Sequence, residues 1–172
     1  MKLFILIALM LMGFVIMACD AGVTQVSSYR SGQKDDVTYH GFRTDLRGAW
    51  DGQNSIVVIE SLEALEAYLA ENDTHYNFTQ TIPTLEAFVE SIDDVFFDDF
   101  VIVLVTLIEG SGSIWHELDG IDVTDHTLEV TLNAYIPEIG TTDMAGWHVL
   151  IEVARDDYVH DAVELVVNRV QK

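Results

Sequence analysis

The sequence predicts an α+β fold, a mainly antiparallel β-sheet with two helices packed on one face. Three patterns carry this expectation. Residues 101–108 form an apolar, β-branched run, the signature of a central strand buried on both faces. Two stretches alternate strictly between apolar and polar residues, as half-buried antiparallel strands do. Two further segments carry apolar residues at helical spacing behind capping residues.

In chain order, residues 1–18 read as a lipoprotein signal peptide. Lys2 gives a positive start, residues 3–18 carry no charge, and Ile16-Met17-Ala18-Cys19 closes the stretch. Sixteen uncharged residues fall short of the roughly 20 a helix needs to span a bilayer, so an export signal fits better than a transmembrane anchor. The closing residues resemble the bacterial lipobox, and that resemblance implies lipid attachment at Cys19, the one cysteine in the chain. A lone cysteine spent on a lipid leaves the exported domain to stand without disulfides. The implied location is the extracytoplasmic side of the cell membrane.

Residues 19–36 are small and polar and read as a flexible tether from the lipidated cysteine. About 17 such residues span roughly 20 to 25 Å. Residues 37–172 then form a single α+β domain. Strand character is weak over 37–54, where Gly41, Gly48 and Gly52 interrupt, and clear at Ile56-Val57-Val58-Ile59. Ser61 is placed to cap a helix carrying Leu62, Leu65 and Leu69, and Pro83-Thr84 opens a second helix expected to run to about Val95. After the central strand come a strand over 114–123 broken near Gly120, a turn at Asp125-His126, the alternating strands 127–136 and 147–153, and a weaker final strand over 162–170. In the first alternating strand Leu128, Val130, Leu132 and Ala134 share a face. In the second, Trp147, Val149 and Ile151 oppose His148 and Glu152.

The net charge of −21 becomes −22 once Lys2 leaves with the leader. Such a chain repels nucleic-acid phosphates and anionic lipid headgroups, which excludes binding to either through a basic patch. Three sources of the acidity stay open: a solvated surface, a saline habitat and divalent-cation binding.

No catalytic motif emerges, and no cofactor is implied. The turn Glu109-Gly110-Ser111-Gly112-Ser113 lacks a P-loop lysine and reads as a structural turn. No serine sits in a Gly-x-Ser-x-Gly elbow. His116, Glu117, Asp119, Asp143 and His148 show no metal-binding spacing, and the acid pairs form no calcium loop, so only weak divalent-cation binding is expected. The residues joining the two alternating strands, from Pro137 through Ile139 and Met144, exceed what hairpin closure needs. This loop either folds over the sheet end or offers apolar side chains to a protein partner. The expected contact surface comprises Tyr135, Pro137, Ile139, Met144 and Trp147 with Gly110, Gly112 and Trp115 of the neighbouring turn.

From Phe96 onward, Phe96-Phe97, the apolar strand, the glycine turn, Pro137-Glu138-Ile139-Gly140-Thr141 and Asp143-Met144-Ala145-Gly146-Trp147-His148 resemble a domain of bacterial envelope lipoproteins. More distantly the segment is similar to the C-terminal domain of the protease complex subunit PrcB. Here the turn reads Ser111-Gly112-Ser113-Ile114, whereas that family usually has Thr-Gly-Gly-Tyr. The resemblance implies a non-catalytic envelope protein that assists or stabilises a protease. The alternative reading is an acidic ligand- or calcium-binding lipoprotein.

Overall fold

A computed structural model describes residues 29–47, 53–79, 83–124, 126–158 and 162–172. The leader, Cys19 and Asp125 lie outside them. The architecture is α+β and mainly antiparallel, with three layers.

The middle layer is a sheet in the order β1 (Tyr29–Lys34), β2 (Val37–Leu46), β8 (Ala145–Ala154), β5 (Phe100–Glu109) and β3 (Ser55–Ile59), with β4 (Tyr76–Asn77) pairing on the end of β2. All its pairings are antiparallel. A second sheet holds β6 (Trp115–Val123), β7 (Thr127–Ile136) and β9 (Ala162–Gln171). β6 meets β7 antiparallel, with a bulge between Leu118 and Gly120, and the final strand β9 runs parallel to β7. On the other face lie α1 (Leu62–Asn72), α2 (Leu85–Val89) and α3 (Phe96–Asp99).

The strand pleat assigns each core. Val101, Val103, Val105 and Leu107 of β5, with Trp147, Val149 and Ile151 of β8, face Leu128, Val130 and Leu132 of the second sheet. Ile102, Leu104 and Leu150 project oppositely, against Leu65, Leu85, Val89 and Phe97 of the helical layer. The run at 101–108 is therefore buried on both faces, as its composition predicts.

Ser61 caps α1 by accepting from the Ala64 N–H at 3.2 Å, and Thr84 caps α2 by accepting from Ala87 at 2.9 Å. The second helix is shorter than its apolar spacing suggests. Ser91 donates to the Phe88 carbonyl at 2.6 Å, and Asp93 accepts the Phe96 N–H at 3.1 Å, starting α3 as a separate turn. Side chains that compete for backbone groups in this way end helices.

Two further expectations are corrected. Residues 29–34, read as tether, form an edge strand closed onto β2 by a two-residue turn at Asp35-Asp36, both with positive φ (49° and 68°). That backbone suits a tight hairpin, which the sequence usually announces with Asn-Gly or Asp-Gly. β8 is buried on both sides except near its end, because the helical layer covers the face carrying His148.

His148 is enclosed by Tyr76, Phe78 and Tyr68, with ring centroids at 4.5, 5.2 and 6.0 Å. Its Nδ1 lies 3.2 Å from the Thr44 hydroxyl, which itself donates to the Gly146 carbonyl at 3.3 Å. Nδ1–H is then the donor, and Nε2 has no hydrogen-bond partner among the described residues. Gly146 permits this packing, since a Cβ there would come within 2.9 Å of both Thr44 Oγ1 and the Tyr76 ring.

Burial pulls the His148 pKa down to about 3. An unfolded chain protonates this imidazole near pH 6.5, so its stabilising contribution is full above that pH and drains away as pH falls toward 3. Replacing His148 with Phe should flatten the acid-side decline between pH 6.5 and 4. Urea melts of both proteins across that range test this: parallel declines would mean that His148 contributes nothing to the acid sensitivity.

Candidate functional site

One end of the molecule gathers most of the residues expected at a contact surface. β5 ends there at Glu109, β8 begins there at Ala145, and the turn at 110–114 meets the loop at 137–144. Gly112 N–H donates to the Asp143 carbonyl at 2.8 Å, and Thr141 N–H donates to the Ser113 hydroxyl at 2.9 Å. Ser111 Oγ lies 2.8 Å from Ser113 Oγ and 3.3 Å from Thr141 Oγ1. Arg43, reaching from β2, donates to the Asp143 carboxylate. A hydrogen bond from Thr141, helped by the Arg43 charge and the Gly112 N–H, holds Asp143 below the usual carboxylate range. Gly112 fits beneath this latch because it lacks a Cβ, which would collide with the ends of both Asp143 and Arg43.

The latch fixes the base of the loop and leaves its apolar residues outside. Ile139 is 88% exposed and Met144 52%. Pro137 is half-buried at the loop's start, and Gly110 is exposed at the tip of the facing turn. Trp115 and Tyr135, cross-strand partners on β6 and β7, stack with centroids 4.1 Å apart. Arg30 covers Trp115 at 3.8 Å, and the Lys172 ammonium lies 4.4 Å from Trp115 and 4.0 Å from Tyr135. These two aromatics form a cation-clad flank rather than an open platform. Trp147 and Gly112, expected at the contact surface, are both buried. Trp147 sits between the sheets because its direct neighbours, Arg43 on β2 and Leu107 on β5, place it mid-layer.

Beneath the turn lies a charged group. The Glu109 carboxylate is buried between the sheets, 2.9 Å from His116 Nε2 on β6. Arg169 of β9 donates to both its oxygens, at 2.9 and 3.3 Å. Burial pushes the Glu109 pKa up, but the hydrogen bonds and charges of His116 and Arg169 outweigh it and leave the group below its ordinary value. An ionised carboxylate only accepts, so His116 donates from Nε2. Its Nδ1 has no hydrogen-bond partner among the described residues, so no serine or other nucleophile is bonded to it. The arrangement ties the end of β5 to both β6 and β9.

The five residues weighed as metal ligands do not converge. His116 is spent on Glu109, Glu117 lies 3.7 Å from Arg30, Asp143 is latched to Arg43, Asp119 is exposed, and His148 is on the opposite face of β8. Among the described residues, no group of three or more His, Cys, Asp or Glu side chains is arranged to hold a metal ion. At the far end of the sandwich, a cavity of about 350 Å³ is bounded by Asp35, Asp36, Glu152 and Asp157 over Phe100 and Ile121.

Arg43, Arg169, Arg30 and Lys172 escape sequence reasoning. Each comes from a segment remote in sequence from the group it contacts, and no local pattern marks it. The pair Glu109 and His116 brackets the glycine turn, a weak signal that the turn carries a polar underside. No family model, curated protein or solved structure matches the chain.

Glu109→Ala strands the His116 and Arg169 donors and should lower stability by about 3 kcal/mol, whereas Arg169→Ala, at a half-exposed residue, should cost about 1 kcal/mol or less. Equal losses in urea melts would contradict the ordering. Gly112→Ala should act differently, prising Asp143 from Arg43 and speeding amide exchange over 137–144 with little change in the melting temperature. Unchanged exchange in the loop would show that the latch does not hold it.

Proposed function

We propose that the protein is a non-catalytic, lipid-anchored cell-envelope protein that binds another envelope protein through the 137–144 loop and the adjoining 110–115 turn. Support comes first from one observation: the loop is pinned at its base by Arg43–Asp143 and by the Gly112 and Thr141 amide bonds, yet it keeps Ile139 and Met144 in solvent. A loop held in place loses little conformational freedom on binding, which favours association through a small apolar contact.

The resemblance of residues 96–172 to the PrcB C-terminal domain favours a protease, or a protein assembled with one, as the partner. The lipobox-like end of the leader favours attachment through Cys19. In this reading the Glu109–His116 pair is structural, since its imidazole bonds no nucleophile among the described residues.

The test is crosslinking in native membranes followed by recovery of the tagged protein. Ile139→Asp combined with Met144→Asp should remove a partner that the unaltered chain retains, with the melting temperature unchanged because both residues are exposed. Recovery of every partner by the double variant would rule out this surface.

A further inference from the structure

We infer that the loop end is the membrane-proximal end of the anchored domain, and that the partner it binds is a membrane-embedded protein met at headgroup level. This rests on the lipid anchor and contact surface proposed above and adds where that surface stands. The direction of β1 is the first argument. It runs from Tyr29, opposite Phe42, to Lys34, opposite Val37, while β2 continues past Phe42 toward Leu46 at the loop end. The chain therefore enters the described domain heading away from the loop end and toward the Asp35-Asp36 turn.

Reach is the second argument. About ten residues separate Cys19 from Tyr29. Fully stretched they span at most about 35 Å. A surface on the side from which this segment enters stays within that distance of the lipid.

Charge is the third. Of the eight Lys and Arg residues in the sequence, five stand at the loop end: Arg30, Arg43, Arg47, Arg169 and Lys172. Four of these face carboxylates there, Arg30 with Glu117, Arg43 with Asp143 and Asp45, Arg47 with Asp73 and Arg169 with Glu109, so the end is close to neutral. The opposite end carries Asp35, Asp36, Asp98, Asp99, Asp156 and Asp157, relieved among the described residues by Lys34 and Arg155, and Arg155 is spent on the Phe97 and Glu60 carbonyls. Anionic headgroups repel the acidic end and tolerate the neutral one, an effect felt within a Debye length of about 8 Å at physiological salt. Tether direction, reach and repulsion all turn Ile139 toward the bilayer.

The test uses the full chain purified from its host membranes with the lipid attached, in vesicles of phosphatidylethanolamine and phosphatidylglycerol doped with a nickel-chelating lipid. Spin labels are placed at Ile139→Cys and, separately, at Asp156→Cys. The expected result is several-fold stronger relaxation by headgroup nickel at position 139 than at 156, with the contrast shrinking in high salt. Equal or reversed relaxation overturns the inference and leaves the contact surface standing. A bare Cys19 by mass spectrometry overturns both.

The partner class is read separately, with a photo-crosslinker at position 139 in native membranes. The crosslinked product should resist carbonate extraction of the bilayer after the crosslinker's own chain is cut away from Cys19 by protease. Release of that partner by carbonate overturns its assignment as membrane-embedded.

Discussion

The structure depends on the pairing of β5 with β8, two ten-residue strands each buried on both faces for most of their length. Burying one large aliphatic side chain yields about 1.5 to 3 kcal/mol, and here that gain is available on two sides at once. It is realised only if both sides are covered, which is why a protein with one large sheet needs two further layers. The second sheet covers one side with an apolar face built from Leu128, Val130 and Leu132. Short helices and the aromatic pair Tyr76 and Phe78 cover the other. Both covers seal polar groups: Thr44, Thr106 and His148 lie under the helical layer, and Glu109 with His116 lies between the sheets.

What the sequence revealed of this arrangement follows the range of the interactions. The run at 101–108, the capped helix after Ser61 and the alternation over 127–136 are local patterns, and each appears as the pattern implies. β1 was hidden because Ser31, Gly32 and Gln33 have little strand preference. It is held instead by Tyr29 against Phe42, by Gly32 beneath the Tyr39 ring and by Arg30 on Trp115, partners far along the chain. The polar face of β8 is the converse case. His148 and Glu152 look like solvent positions, and the residues that bury His148 belong to segments tens of positions away.

The candidate surface was legible in the same uneven way. The turn at 110–115 and the loop at 137–144 do meet, and Ile139 and Met144 are its exposed apolar residues. The burial of Trp147 is not legible in one dimension, where a tryptophan beside a loop and a tryptophan at the start of a central strand look alike. Arg43 and Arg169 could be found only through pairing: one reaches the loop from β2, the other reaches Glu109 from β9.

The distribution of charge is compatible with the docking role proposed above. A uniformly anionic surface would repel most partners in the envelope and the bilayer alike. Here the cations are concentrated at one end, where they neutralise Asp143, Asp73 and Glu109 and line the Trp115–Tyr135 stack. A cluster of acids stands at the other end, around the Asp35-Asp36 turn and Asp156-Asp157. One of these cations, Arg43, both offsets charge at that end and fixes its loop. Neutralisation and rigidity therefore cannot be lost separately: a change that frees Arg43 loosens the loop and exposes an unpaired carboxylate in the same step.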